Sequence, residues 1–378
     1  MQSSNKDTGK KRKNEEIEKK EITKKKAKIS EEERSSSSVI IVNSEAAKTS
    51  IDNYQELTSD IKEFEKLNSP SQLATNVKLE YCNFLSQQVS RSIYNPRFIV
   101  FGSSLNGFST RSSDLDITLL IEGEELYQDP LRKVYRRLRK ITSKISRCQL
   151  IHAKVPIVMF EDLQFGFEVD ISINNDSGIR NTFLLRTYSR LDTRVRPLVI
   201  VIKEWAKANN VCNSKSGLLS SYALNLMVLF FLQHNASPRV LPSLQRMFPG
   251  IFNSYYTIDD IQKVGLQEIC NSWKSENTES VGELLIKFFE FYSMLDFREK
   301  LISIRTGSIH QRPVWDSARG YKGYINIEEP YTLDNAARSV YLLIRCKEII
   351  SEFKRKHKQL MSIGKPKNLD TVFSVTTY

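Results

Sequence analysis

The residues best able to do chemistry lie close together. Phe101-Gly102-Ser103-Ser104-Leu105-Asn106-Gly107 is followed by Ser113-Asp114-Leu115-Asp116. Side chains alternate between the faces of a strand, so Asp114 and Asp116 project together. Adjacent carboxylates repel and are costly to desolvate unless a cation lies between them. Hard oxygen ligands of this kind suit Mg²⁺ or Mn²⁺. A third acid, Asp170, lies in Phe167-Glu168-Val169-Asp170-Ile171, where apolar Val169 and Ile171 turn Glu168 and Asp170 to the opposite face. If that strand flanks the first, three carboxylates converge, and two ions about 4 Å apart can serve a triphosphate and an attacking hydroxyl. Gly102-Ser103 adds a turn whose backbone N–H groups can approach a phosphate closely. A Gly-Ser turn or an Asp-x-Asp pair alone is common in ordinary loops; their combination with a distant Asp is specific.

The elements that must position these groups can be read from the apolar pattern. Helical spacing runs from Tyr54 to Phe64 and from Leu73 to Val89, and Phe98 to Phe101 forms a short buried strand. A second strand is expected from Asp114 to Ile121, then a basic helix from Leu131 to Ile145. Val155–Phe160 and Phe165–Ile173 read as an antiparallel pair joined by a polar turn. Beyond Asn181 the period becomes helical: Thr182–Leu191, Pro197–Asn209, Ser220–Leu232, Val281–Tyr292 and Asn335–Lys354. The fold class expected is therefore α+β: a mixed sheet flanked by helices, then a mainly helical domain, with a cleft between them. The expected divisions are a basic and acidic low-complexity tail over 1–52, N-terminal helices over 53–90 packing on the helical domain, a catalytic domain over 91–187, the helical domain over 188–360 and a loose tail over 361–378.

The residues carry a resemblance beyond the acidic signature. Gly102 to Asp114, Ala153-Lys-Val-Pro-Ile-Val158, Gly178-Ile-Arg-Asn-Thr-Phe-Leu-Leu-Arg-Thr-Tyr188 and Arg194-Val-Arg-Pro-Leu-Val199 are similar to the cytoplasmic poly(A) polymerases of the GLD type, within the polymerase-β-like nucleotidyltransferase superfamily. The resemblance spans roughly Asn53 to Phe353. It implies that Asp114, Asp116 and Asp170 bind two ions, Mg²⁺ or Mn²⁺, and that Gly102 and Ser103 cradle the triphosphate of ATP. Lys203 and Lys207, one helical turn apart, would clamp the outer phosphates, with Ser221 as a further phosphate ligand. Tyr222 would stack on the base and Asn181 would read the ribose hydroxyls. Related uridylyltransferases carry a histidine just before the Asn of the base-reading segment, whereas here Asp334 precedes Asn335. That implies adenylate over uridylate, with Glu329 accepting from the adenine amino group. Without the resemblance, Tyr222 reads as a core aromatic, Asn181 as a helix cap, the lysines as a solvated stripe and Glu329 as an acid at a helix start.

Bulk properties agree with an anionic partner. The 378 residues carry a formal charge of +12, and a basic surface attracts nucleic acid. Arg132, Lys133, Arg136, Arg137 and Arg139 are candidates for RNA phosphates. The five cysteines are scattered, the four histidines are isolated, and no long apolar run suggests a membrane span. No RNP-type aromatic segment or zinc module follows the helical domain, so an RNA-binding protein partner is expected to choose the RNA 3′ end. The expected location is cytoplasmic, with the basic N-terminal tail a candidate nuclear signal. Rival readings are a terminal uridylyltransferase, a catalytically inactive scaffold binding RNA or a partner, and a nucleotidyltransferase acting on small molecules or short oligoadenylates.

Overall fold

The computed structural model describes residues 53–141, 143–312, 323–362 and 368–375; the tail over 1–52 lies outside them. Two helices open the chain, α1 (Asn53–Asn68) and α2 (Gln72–Val89), the latter capped by the Ser71 hydroxyl on Ala74 N. Strand β1 (Arg97–Phe101) leads through a short 3₁₀ turn to β2 (Leu115–Leu120). Helix α3 (Pro130–Leu138) precedes β3 (Ile145–Ile151), β4 (Ile157–Asp162) and β5 (Glu168–Ile173). The sheet order is β1-β2-β5-β4-β3. Only β2 and β5 run parallel, in a register that sets Leu115 beside Val169 and Asp116 beside Asp170.

One face of this sheet is apolar. Leu115, Ile117, Leu119, Val169 and Ile171 join Tyr81, Leu85 and Val89 of α2 and Val134 and Leu138 of α3 in one core. The opposite face carries Asp116, Thr118, Asp170 and Ser172, and Thr118 Oγ1 accepts from Asn175 N at 3.0 Å, fixing the start of α4 (Asp176–Leu191). The Asn175 side chain caps that helix by accepting from Gly178 N.

A second core lies among α5 (Val195–Ala208), α6 (Ser221–His234), and, after three short helices, α7 (Leu244–Met247), α8 (Ile258–Lys263) and α9 (Leu266–Asn271), α10 (Val281–Met294). A small sheet, ordered β7-β6-β8, follows from β6 (Lys300–Ser303), β7 (Ser308–Gln311) and β8 (Asn326–Ile327). Helix α11 (Leu343–Leu360) and a short α12 (Leu369–Phe373) complete the described chain. Among the described residues no helix is long and apolar enough to cross a membrane.

Several expectations need correction. The two N-terminal helices do not pack alike: α1 places Leu57 and Ile61 in the helical core, while α2 covers the sheet. The basic helix stops at Leu138, and Ile145–Ile151 is an edge strand. The mainly helical half also carries the small β6–β8 sheet, and α11 begins at Leu343 rather than Asn335. Asn335 is instead engaged sideways, donating to Ile325 O and accepting from Ile327 N. The segment read as a loose tail includes α12, with Val372 buried and Phe373 4.9 Å from Phe64. The division at 187/188 falls inside α4.

Candidate active site

The turn expected to cradle phosphate is built around Gly102. Its φ of +72° suits glycine, and a Cβ there would meet Asp116 Oδ2 at 2.0 Å, so any side chain would collide with the carboxylate. Gly102 N donates to Thr182 Oγ1 at 2.8 Å, tying the turn to α4. Ser104 Oγ donates to Asp114 O at 2.8 Å, closing the turn onto the head of β2. The Ser103 N–H donates to the Asp116 carboxylate.

Strand register then assembles the acids. Asp116 and Asp170 are direct neighbours across the parallel pair, and Asp114 precedes β2 by one residue. Burial, then the charge of Asp114, pushes Asp116 up to about 6 despite the Ser103 N–H. Burial, then Asp116, Glu168 and Asp114, pushes Asp170 up to about 7. Asp114 is also raised, by burial and Glu168. Like charges side by side account for the residual repulsion, and the oxygens do not close on a single point: among the described residues no three Asp, Glu, His or Cys side chains are gathered tightly enough to hold a metal ion. The donor set nevertheless fits a hard divalent cation. It is all carboxylate, and Asp170 Oδ1 is buried without a hydrogen-bond partner.

Asp114 and Asp116 open onto a cavity of about 390 Å³ whose wall also carries Gly102, Ser103, Asn181, Lys203, Lys207, Ser221 and Tyr222. Asp170 and Glu329 are not on that wall. Lys203 is buried, donates to Phe108 O at 3.2 Å, and is pulled down to about 8 by burial and the Lys207 charge. Lys207 pairs with Glu204 at 2.8 Å. Ser220 caps α6 on Ala223 N, presenting Ser221 and Tyr222 at the helix start. Glu329, read as a base contact, is 6% exposed and turned toward Asn181 and Tyr222 instead.

Other groups were not singled out. Thr182, Asn106 and Asn225 line the cavity. Lys78 of α2 donates to Ser113 O beside Asp114 and Asp116. Lys215 contributes positive charge to Asp114 and Asp170. Asn106 belongs to the glycine turn itself, whereas no local pattern marks the others, because each reaches the site from a distant element. Conversely, four of the five basic residues on α3 and just after it are already engaged: Arg132 with Asp129, Lys133 with Glu125, Arg137 with Gln88 and Arg139 with Tyr135.

The fold and this acidic, glycine-gated cleft define a nucleotidyltransferase of the polymerase-β-like superfamily. The family model for the central palm domain of mitochondrial-like poly(A) RNA polymerases matches residues 57–190, and that for the Cid1 family of poly A polymerases matches 280–335. Human poly(A) RNA polymerase GLD2 is 38% identical over 284 residues, covering 71% of this chain and 57% of that protein. The gld-2 homolog A of Drosophila melanogaster is 36% identical over 308 residues, 76% of this chain and 22% of its own. The chain thus spans about half or less of the length of these relatives. Among solved structures, a Cid1 poly(U) polymerase bound to MgGTP superposes with TM-score 0.71 at 26% identity, covering 84% of this chain and 98% of that one. A cytoplasmic RNA terminal U-transferase gives 0.72 at 27%, covering 86% and 99%. The chain belongs to the nucleotidyltransferase superfamily that includes the GLD2 poly(A) RNA polymerases.

Proposed function

We propose that the chain is a poly(A) RNA polymerase that adds AMP from ATP to RNA 3′ ends and releases pyrophosphate, acting in the cytoplasm. The observation that carries this reading is the parallel register placing Asp116 beside Asp170, next to a turn that only glycine can make. In this reading Asp114, Asp116 and Asp170 hold Mg²⁺ or Mn²⁺. When bound, such ions lower the pKa of the RNA 3′ hydroxyl and neutralise the leaving pyrophosphate. The chain's own groups do the rest. Ser103 faces the triphosphate, and Lys203, Lys207 and Ser221 balance and orient its charge. Tyr222 offers its ring to the base, and its hydroxyl is anchored on Asn181 at 2.7 Å.

Adenylate is favoured over uridylate by two observations. Its relatives named as poly(A) polymerases are more similar in sequence than the U-transferases it superposes on. The position before Asn335 is Asp334, which pairs with Lys154, so no histidine stands there to address uracil. One solved Cid1 poly(U) polymerase carrying a histidine-to-asparagine change is bound to MgATP. The +12 charge supports RNA as acceptor. In this reading the chain alone tails weakly and distributively, and an RNA-binding protein recruits it to its RNA.

The test is a tailing assay with an RNA primer and each NTP separately, with Mg²⁺ or Mn²⁺. ATP should be incorporated preferentially in short additions. Preferential uridine addition would transfer the assignment to a uridylyltransferase, and no addition with any nucleotide would favour a scaffold.

A further inference from the structure

Glu329 comes from the helical half, six residues before Asn335, yet it makes no contact with the cavity wall other than through two residues that form it. Its Oε1 accepts from Asn181 Nδ2 at 2.7 Å and lies 3.1 Å from the Tyr222 hydroxyl. Its Oε2 accepts from Tyr331 N at 2.9 Å and from Thr332 N. Both oxygens are therefore spent on protein donors, and the carboxylate is 6% exposed. A group so saturated is poorly placed to accept from a base as well.

The same contacts fix Asn181. A carboxylate only accepts, so the amide nitrogen must face Glu329, and Asn181 Oδ1 must face the Tyr222 hydroxyl at 2.7 Å. One amide hydrogen and one carbonyl lone pair remain, and Asn181 lies on the cavity wall. A fixed donor beside a fixed acceptor matches a hydroxyl, which both donates and accepts. Its place also argues for the sugar. The next residue, Thr182, holds the glycine turn through Gly102 N, while the Asn181 amide itself accepts from the Tyr222 hydroxyl. The amide thus sits between the phosphate end and the ring that would meet the base.

We propose that Glu329 is a positioning residue that enforces ribose over deoxyribose by locking the Asn181 amide, and that it does not read the base. This rests on the nucleotidyltransferase reading of the cleft. Glutamine at 329 cannot serve all three N–H donors, because one of its two terminal atoms is itself a donor; Asn181 is then released or the 331–332 amides are left unpaired.

The test uses calorimetric titration of ATP, dATP and UTP, with Mg²⁺, into the full chain and into E329Q, N181A and the E329Q/N181A double variant. Wild type should bind ATP more tightly than dATP. E329Q should shrink that ratio about ten-fold while leaving the ATP:UTP ratio unchanged. In the N181A background, E329Q should leave the ATP:dATP ratio where N181A alone puts it, since one residue acts through the other. If thermal melts show E329Q poorly folded, E329D, which withdraws the charge by one methylene, must show the same selective loss. A change in ATP:UTP without a change in ATP:dATP would overturn the proposal, as would equal weakening of all three ligands or additive effects in the double variant. Equal wild-type affinity for ATP and dATP sinks this inference alone, whereas failure to bind any triphosphate sinks the functional reading beneath it.

Discussion

Replacing Lys203 by methionine should make the protein more stable and less active at once. The lysine is 5% exposed, and burial together with the Lys207 charge lowers its pKa from 10.5 to about 8. At pH 7 both folded and unfolded chains carry the proton, so the native state bears a charge its surroundings disfavour. At roughly 1.36 kcal/mol for each pH unit of displacement, this costs the fold roughly 3 kcal/mol. Methionine has similar length and no charge; it forfeits the hydrogen bond to Phe108 O, a loss of roughly 1 to 2 kcal/mol once the stranded carbonyl is included. The variant should therefore lead wild type by roughly 1 to 2 kcal/mol at pH 7. The sign of the pH dependence follows from linkage. Between pH 8 and 10.5 the unfolded chain binds more protons than the native one, so wild-type stability recovers as pH rises, and by pH 9.5 the lead should have nearly vanished. Urea denaturation at pH 7, 8.5 and 9.5 measures this, and the KM for ATP should rise at least about ten-fold in the variant. A variant no more stable than wild type at pH 7, or a lead that does not shrink with pH, refutes buried charge as the cause.

Asp170→Asn should raise the melting temperature by about 2–4 °C in chelator, because it removes like charge from beside Asp116 and Asp114, while nucleotide addition is lost; differential scanning fluorimetry and the tailing assay read the two effects. Gly102→Ala should destabilise by roughly 1–3 kcal/mol and abolish addition, since its φ is +72° and a Cβ meets Asp116 Oδ2. Gly166→Ala, at φ +74° with open space around it, should show the strain alone and keep full activity.

How much of this was legible in the sequence depends on the range of each contact. Alternation in Leu115-Asp116-Ile117 and Val169-Asp170-Ile171 is local, so the shared acidic face could be read directly. That β5 lies beside β2, skipping β3 and β4, is a long-range pairing that no local pattern encodes. Edge strand β3 escaped because its alternation is broken by a register shift between Ser146 and Gln149. The basic cluster around α3 was over-read: counting charges does not reveal that Asp129, Glu125 and Gln88 already engage three of them. Glu329 was assigned to the base because the sequence places it in the right segment, but not which way its carboxylate turns.

The loop between the glycine turn and the acidic strand shows why the two halves act as one machine. Residues 107, 108 and 109 each offer a backbone carbonyl to a cation on α5: Arg196 takes Gly107 O and Ser109 O, and Lys203 takes Phe108 O. Arg196 also grips Glu65 and Ser69 at the end of α1, and the Phe108 ring is buried in the helical core. The loop that sets the spacing of Gly102 and Asp114 is thus held from the helical half as well as from the sheet side, where Ser104 and Lys78 engage Asp114 O and Ser113 O. Buried charged donors on backbone acceptors are strong and expensive to break, so this spacing cannot relax without disturbing the helical core. Because Lys203 both lines the cavity and holds Phe108 O, the residue proposed to meet the triphosphate is also one that fixes the loop between Gly102 and Asp114. Substrate charge and loop geometry therefore meet on one side chain.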